Sequence, residues 1–107
     1  MFVHSVYFWL KEGLSAEEIE AFRRGLQSIA AIETVRQSHI GVPADTDRPV
    51  IERGYSYGLI LLFDDEQGHD LYQDHETHDR FRQECSRYWS KVVIFDCVTS
   101  DKTEGDK

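Results

Sequence analysis

The chain has 107 residues, of which 40% are hydrophobic, 12% aromatic and 30% charged, and its formal net charge is −8. That length fits one core and one domain, and the charged fraction is that of a folded protein's surface rather than of a disordered chain. The acidity excludes nucleic acid and anionic membrane as main partners, because both need a basic face. No run approaches the ~18 apolar residues of a membrane-spanning helix, and Met1-Phe2-Val3-His4 lacks the basic start of a secretory signal, so a cytoplasmic location is expected. Cys85, in a helical pattern, and Cys97, in a strand pattern, read as buried reduced thiols rather than a disulfide framework.

Residues Phe2 to Leu10 alternate as a first strand, with Phe2, His4, Val6, Phe8 and Leu10 on one face and Val3, Ser5, Tyr7 and Trp9 on the other. Lys11-Glu12-Gly13 ends it. Ser15 followed by Glu18 has the form of a capping box, and Ile19, Phe22, Leu26 and Ile29 recur at helical spacing as one apolar stripe. A second extended run covers Thr34 to Val42. Both prolines and little periodicity make residues Pro43 to Arg53 a long loop. The third strand, Tyr55 to Phe63, is nearly continuous in apolar side chains, which predicts burial on both faces. Asp64-Asp65-Glu66 starts a short helix that reaches about Gln73, with a break at Asp74 to Thr77. A further helix follows with Phe81, Cys85 and Tyr88 or Trp89 inward, then a fourth strand, Val92 to Val98. Thr99 to Lys107 reads as a loose polar tail.

This order is α+β, a ferredoxin-like βαββαβ protomer whose second helix is broken in two. Its helices cover one face of a four-stranded antiparallel sheet, yet Tyr7 and Trp9 oppose Phe8, and Ile60 and Leu62 oppose Leu61. A second copy packed sheet to sheet, through Tyr7 and Trp9, is the simplest cover for the other face.

Leu71 to His78 is the stretch richest in chemistry, with a phenol, Tyr72, two imidazoles, His75 and His78, and His69 just upstream. Histidine titrates near neutrality, so a His beside a Tyr suits general acid–base work. His75-x-x-His78 has ligand spacing that His69, Asp74 or His4 could complete, but no Glu-x-x-His or Cys pair supports a metal, and none is expected. Nucleophile elbows and glycine-rich phosphate loops are absent too, so no cofactor is expected. If residues 71 to 78 form a helix end and its turn, Tyr72 and His78 point back at the sheet, where His4 and Tyr57 are the polar side chains. These four groups could converge in one pocket, and with His75 beside them they are the candidate site residues. For His4 the alternative is a core histidine bonded to a carbonyl, for Tyr57 a strand aromatic, for Tyr72 and His78 an amphipathic helix surface, and for His75 a solvated turn or a cap.

His4-x-Val6-x-Phe8-x-x-Lys11, the strand Tyr55 to Phe63, Tyr72-x-x-His75-x-x-His78-x-x-Phe81 and Ile94-Phe95-Asp96 together resemble the stress-responsive dimeric α/β barrel (Dabb) domain, over about residues 2 to 98. The resemblance implies a homodimer formed by the sheets and a small-molecule cavity between sheet and helices in each protomer. The sequence is also similar to a plant polyketide-cyclase branch that closes olivetolic acid by aldol condensation without a cofactor. There the histidine matching His78 is the base, the tyrosine matching Tyr72 assists it, and the histidine matching His4 lines the pocket. Tyr57 and Leu26 stand where that branch has a histidine and a tyrosine, and Glu76 replaces a proline, so its substrate is not implied. A non-catalytic, stress-associated or ligand-binding dimer is the competing expectation. Bonding between His78 and Tyr72, at a closed cavity of about 300 Å³ or more, would favour ligand chemistry.

Overall fold

A computed structural model describes residues 1–99, and Ser100–Lys107, most of the tail, lie outside the described residues. The elements are β1 (Phe2–Leu10), α1 (Ala16–Ala30), β2 (Gln37–Gly41), β3 (Tyr57–Phe63), α2 (Glu66–Asp74), α3 (Glu76–Cys85), a 3₁₀ turn (Ser86–Tyr88) and β4 (Trp89–Val98). One antiparallel sheet runs β2-β3-β1-β4, which is the ferredoxin-like order. Among the described residues no helix is long and apolar enough to cross a membrane.

Local signals explain most boundaries. Gly13, at φ 83°, takes the left-handed turn that releases the chain from β1. The Ser15 Oγ accepts from the Glu18 N–H while the Glu18 Oε1 accepts from the Ser15 N–H, closing the expected box at 3.1 and 2.8 Å. The α2–α3 break falls at His75, whose extended backbone ends one helix and whose Nδ1 caps the next by accepting from the Thr77 N–H at 3.0 Å.

Three strands differ from their sequence limits. β2 starts at Gln37, because Thr34 and Val35 belong to the turn that leaves α1, with the Val35 N–H on the Ile32 carbonyl. β3 starts at Tyr57, since at Ser56 the side-chain Oγ, not a ladder carbonyl, accepts from the Leu10 N–H. β4 starts at Trp89, three residues early. The register slips between Trp9, opposite Lys91, and Leu10, opposite Trp89, and leaves Ser90 as an extra residue whose hydroxyl donates to the Trp9 carbonyl. That bulge breaks the alternation by which a strand is read.

The core lies between the sheet and the helices. Phe22 and Leu26 of α1, and Leu59, Leu61 and Phe63 of β3, have no exposed surface. Burying each contributes roughly 1.5–3 kcal/mol. α1 and α3 approach closely at Gly25, where a Cβ would stand 2.6 Å from Cys85 Sγ and 3.0 Å from Phe81 Cδ1. The sheet's other face carries Tyr7, Trp9, Ile60, Leu62, Val93 and Phe95 with no element over it. Cys97 is on that face and exposed, which corrects its reading as buried; only Cys85 is inside. Thr99 is tied back by its N–H and hydroxyl to the Met1 carbonyl.

Candidate functional site

Three titratable side chains meet on the helix side of the sheet. His4 comes from the middle of β1, Tyr72 from the last turn of α2 and His78 from the first turn of α3, and all three are buried. Placing the break at His75 is what turns both Tyr72 and His78 toward the sheet. Their rings meet edge to face, with centroids 4.7 Å apart, and the Tyr72 ring lies 5.6 Å from that of His4. Among the described residues no hydrogen bond joins Tyr72 to His78, so the expected bonded pair is a packed pair. The His78 Nδ1 is sealed from solvent without a partner, a costly state for a polar atom in a fold.

Their electrostatics are set by burial. Desolvation, helped by the Arg82 guanidinium and by His4, pushes the His78 pKa down to about 4. Desolvation also lowers the pKa of His4, against the pull of Asp96, and raises that of Tyr72. At neutral pH both imidazoles are neutral and the phenol keeps its proton. His4 Nδ1 lies 2.6 Å from Asp96 Oδ1. A carboxylate only accepts, so the His4 proton sits on Nδ1 and its Nε2 is left as an acceptor.

The three groups border a cavity of ≈150 Å³ whose other walls are mostly apolar, including Val6, Leu59, Phe81 and Trp89, with Gln73 and Arg82 as the polar exceptions. Its exposed lining residues, Val92, Ile94 and Arg82, mark the mouth. That volume is half the 300 Å³ expected for a ligand site. A larger concavity, ≈520 Å³, lies on the opposite face of the sheet between Tyr7, Trp9, Tyr55 and Phe95. It holds no histidine, whereas the smaller cavity gathers two histidines and a tyrosine.

Two candidates stand elsewhere. Tyr57 packs on Phe22, with centroids 5.7 Å apart, and does not line the cavity. His75 caps α3, and its Nε2 lies 3.4 Å from Glu33 Oε1 on the far side of the break, away from the cavity. The metal set weighed around His75 and His78 is therefore not assembled. The structure instead gathers His4, His69 and Asp96, whose ligand atoms lie within 4.8 Å of one another, a grouping that could hold a cation. His69 itself is stacked on Phe2 at 4.4 Å. Sequence reasoning assigned no part to Asp96, Gln73, Arg82 or Trp89. Asp96 is set opposite His4 by the β1–β4 register, for which no local pattern in the sequence is a signal.

The chain belongs to the stress-responsive A/B barrel domain (Dabb) family, whose sequence model matches residues 2–99. No curated protein is similar enough in sequence to match. Solved structures share the fold. A protein from Arabidopsis thaliana, known from an ensemble-refined crystal structure, superposes with a TM-score of 0.78 at 22% identity, over 94% of this chain and 97% of its own. A dimeric ferredoxin-like protein of unknown function from Thermobifida fusca does so at 0.73 and 19%, over 92% and 90%. The hydroxynitrile lyase of Passiflora edulis gives 0.75 at 16%, over 94% of each chain.

Proposed function

We propose that the chain acts as a homodimer that binds a small organic molecule, about the size of one aromatic ring, and performs acid–base chemistry on it without a cofactor. The observation that carries this is the convergence of a neutral His78, a neutral His4 and a protonated Tyr72 on one apolar cavity. One base and one hydrogen-bond donor are what an enolate-type or hydroxyl-deprotonating step requires. His78 takes the proton from carbon or oxygen. Tyr72 donates to the oxygen on which charge develops. His4, held by Asp96, offers Nε2 as an acceptor rather than binding a carbonyl oxygen. Tyr57 and His75 are given no contact with the ligand.

An apolar cavity of ≈150 Å³ suits one benzene-sized ring, the guest of an engineered cavity of like volume. A long polyketide does not fit that space. A cyclase, an isomerase and a lyase, the last being what the Passiflora protein is named, use the same kinds of group. The dimer forms through Tyr7 and Trp9 on the uncovered sheet face, since an apolar patch of several strands is unusual on a free monomer. The two free cysteines fit a reducing, cytoplasmic setting.

The test is hydrogen–deuterium exchange at the methyl group of acetophenone in D2O at neutral pH. Exchange above background is expected with the wild-type protein and should vanish in His78→Gln and Tyr72→Phe. Binding with no exchange would favour the second reading, a ligand-binding dimer without catalysis, to which the missing Tyr72–His78 bond and the small cavity already lean.

A further inference from the structure

We propose that the ligand of this cavity is an anion, a small carboxylate whose apolar body fills the floor and whose charge meets Arg82 at the mouth. This rests on the cavity being a ligand site, as argued above, and adds the ligand's charge. Arg82 is the one charged side chain on the cavity lining among the described residues. The chain has 20 acidic residues, yet none lines the cavity, so an anion entering it meets no like charge on the walls.

The guanidinium is placed but not used up. Its Nη2 donates to Asp79 Oδ1 at 2.9 Å and reaches the Gln73 carbonyl at 3.5 Å, which anchors it at the rim. No partner takes the Nη1 or Nε donors among the described residues. Arginine presents its donors as a planar fork that matches both oxygens of a carboxylate. The ion pair with Asp79 is a half-exposed pair one helical turn apart, of a kind that contributes little because water screens it, so it does not compete strongly with a ligand. The Arg82 charge is felt inside the cavity, since it lowers the pKa of both His78 and Tyr72. Gln73, at the same rim, has its side-chain nitrogen 3.2 Å from His69 Nε2, and so helps to fix the polar edge of the mouth.

Benzoate and benzamide test this, being nearly equal in shape and different in charge. Binding is followed by two-dimensional NMR on the full chain, with the Trp89 indole and Ile94 methyl signals reporting cavity occupancy. Wild type should bind benzoate about tenfold more tightly than benzamide or better, the scale of a charge-assisted bond. Arg82→Gln should bring the two within about twofold, and Arg82→Lys should restore part of the gap. Equal binding in wild type, or a preference that survives Arg82→Gln, overturns the anion assignment and leaves the cavity reading intact. Binding of neither compound removes the cavity reading and this one with it. Arg82 is half exposed, so the variants should fold, and unchanged dispersion of the core methyl signals verifies that.

Discussion

The two faces of the sheet are built from the same kinds of side chain and are finished in opposite ways. On the helix face, Phe8, Leu59, Leu61 and Phe63 vanish under α1, α2 and α3, and the polar intruders His4, Tyr72 and His78 border a small cavity. On the outer face Tyr7, Trp9, Val93 and Phe95 line a trough more than three times as large, ≈520 against ≈150 Å³, whose charged groups, Glu52 and Lys91, include no histidine. Concavity on an unpaired sheet face is a shape waiting for a partner's surface. A space that buried titratable groups border is the better candidate for a ligand site, although it is the smaller of the two in volume.

The comparison can be broken by truncating one aromatic on each side. Phe63→Ala should cost about 3–5 kcal/mol in denaturant unfolding, because the helices cannot collapse into the hole. Phe95→Ala, measured dilute enough to be monomeric, should change stability by less than about 1 kcal/mol. Similar losses from both would mean that the outer face is as integral to the protomer's core as the inner one. In the same spirit, Trp9→Glu should shift elution from twice 12.5 kDa to 12.5 kDa with unchanged circular dichroism. A dimer that survives it rules out sheet-to-sheet packing.

Next in size is the response to acid, which belongs to the inner face. An unfolded His78 takes up a proton near pH 6.5, whereas the folded residue resists until about 4, so stability is flat above 6.5 and falls as the pH drops through that window. The loss should be about 3 kcal/mol from His78, with His4 acting in the same direction. Histidine NMR titration of the folded protein should give a His78 midpoint near 4; a midpoint near 6.5 would show that its ring is solvated. The smallest effect expected is from Ser15→Ala, which opens the capping box of α1 and should cost about 1 kcal/mol without altering the dimer.

Most of the inner face was legible in the sequence because it depends on local periodicity. The stripe of Phe22, Leu26 and Ile29 and the alternation of Phe2 to Phe8 each define a face without knowledge of any partner. Tyr72 and His78 could be aimed inward because a helix break between them fixes both directions. Pairings between distant strands were not legible. His4 and Asp96 are 92 positions apart and meet only because β4 lies beside β1. Tyr57 was placed at the site because it shares a sheet face with His4, but its position two residues before Leu59 carries it along β3 to Phe22, away from the cavity. Arg82 was given no part at all, since nothing local shows that the cavity opens beneath it.

One extra residue decides which side of the sheet receives an indole. Counting back in twos along β4 from Phe95, through Val93 and Lys91, position 89 would fall on the outer face beside Trp9, where the Lys91 ammonium already lies 4.5 Å above the Trp9 ring. Ser90 shifts the parity. Trp89 therefore turns under the helices, 5.2 Å from Phe8 and 5.7 Å from Phe81, and plugs one end of the cavity. Deleting Ser90 would remove the bulge and leave Trp89 opposite Leu10 on the inner face, whereas regular pairing with Ser90 kept would take the plug out of the cavity and add an aromatic ring to the trough. At this edge of the sheet the bulge, rather than composition, decides which face receives the indole.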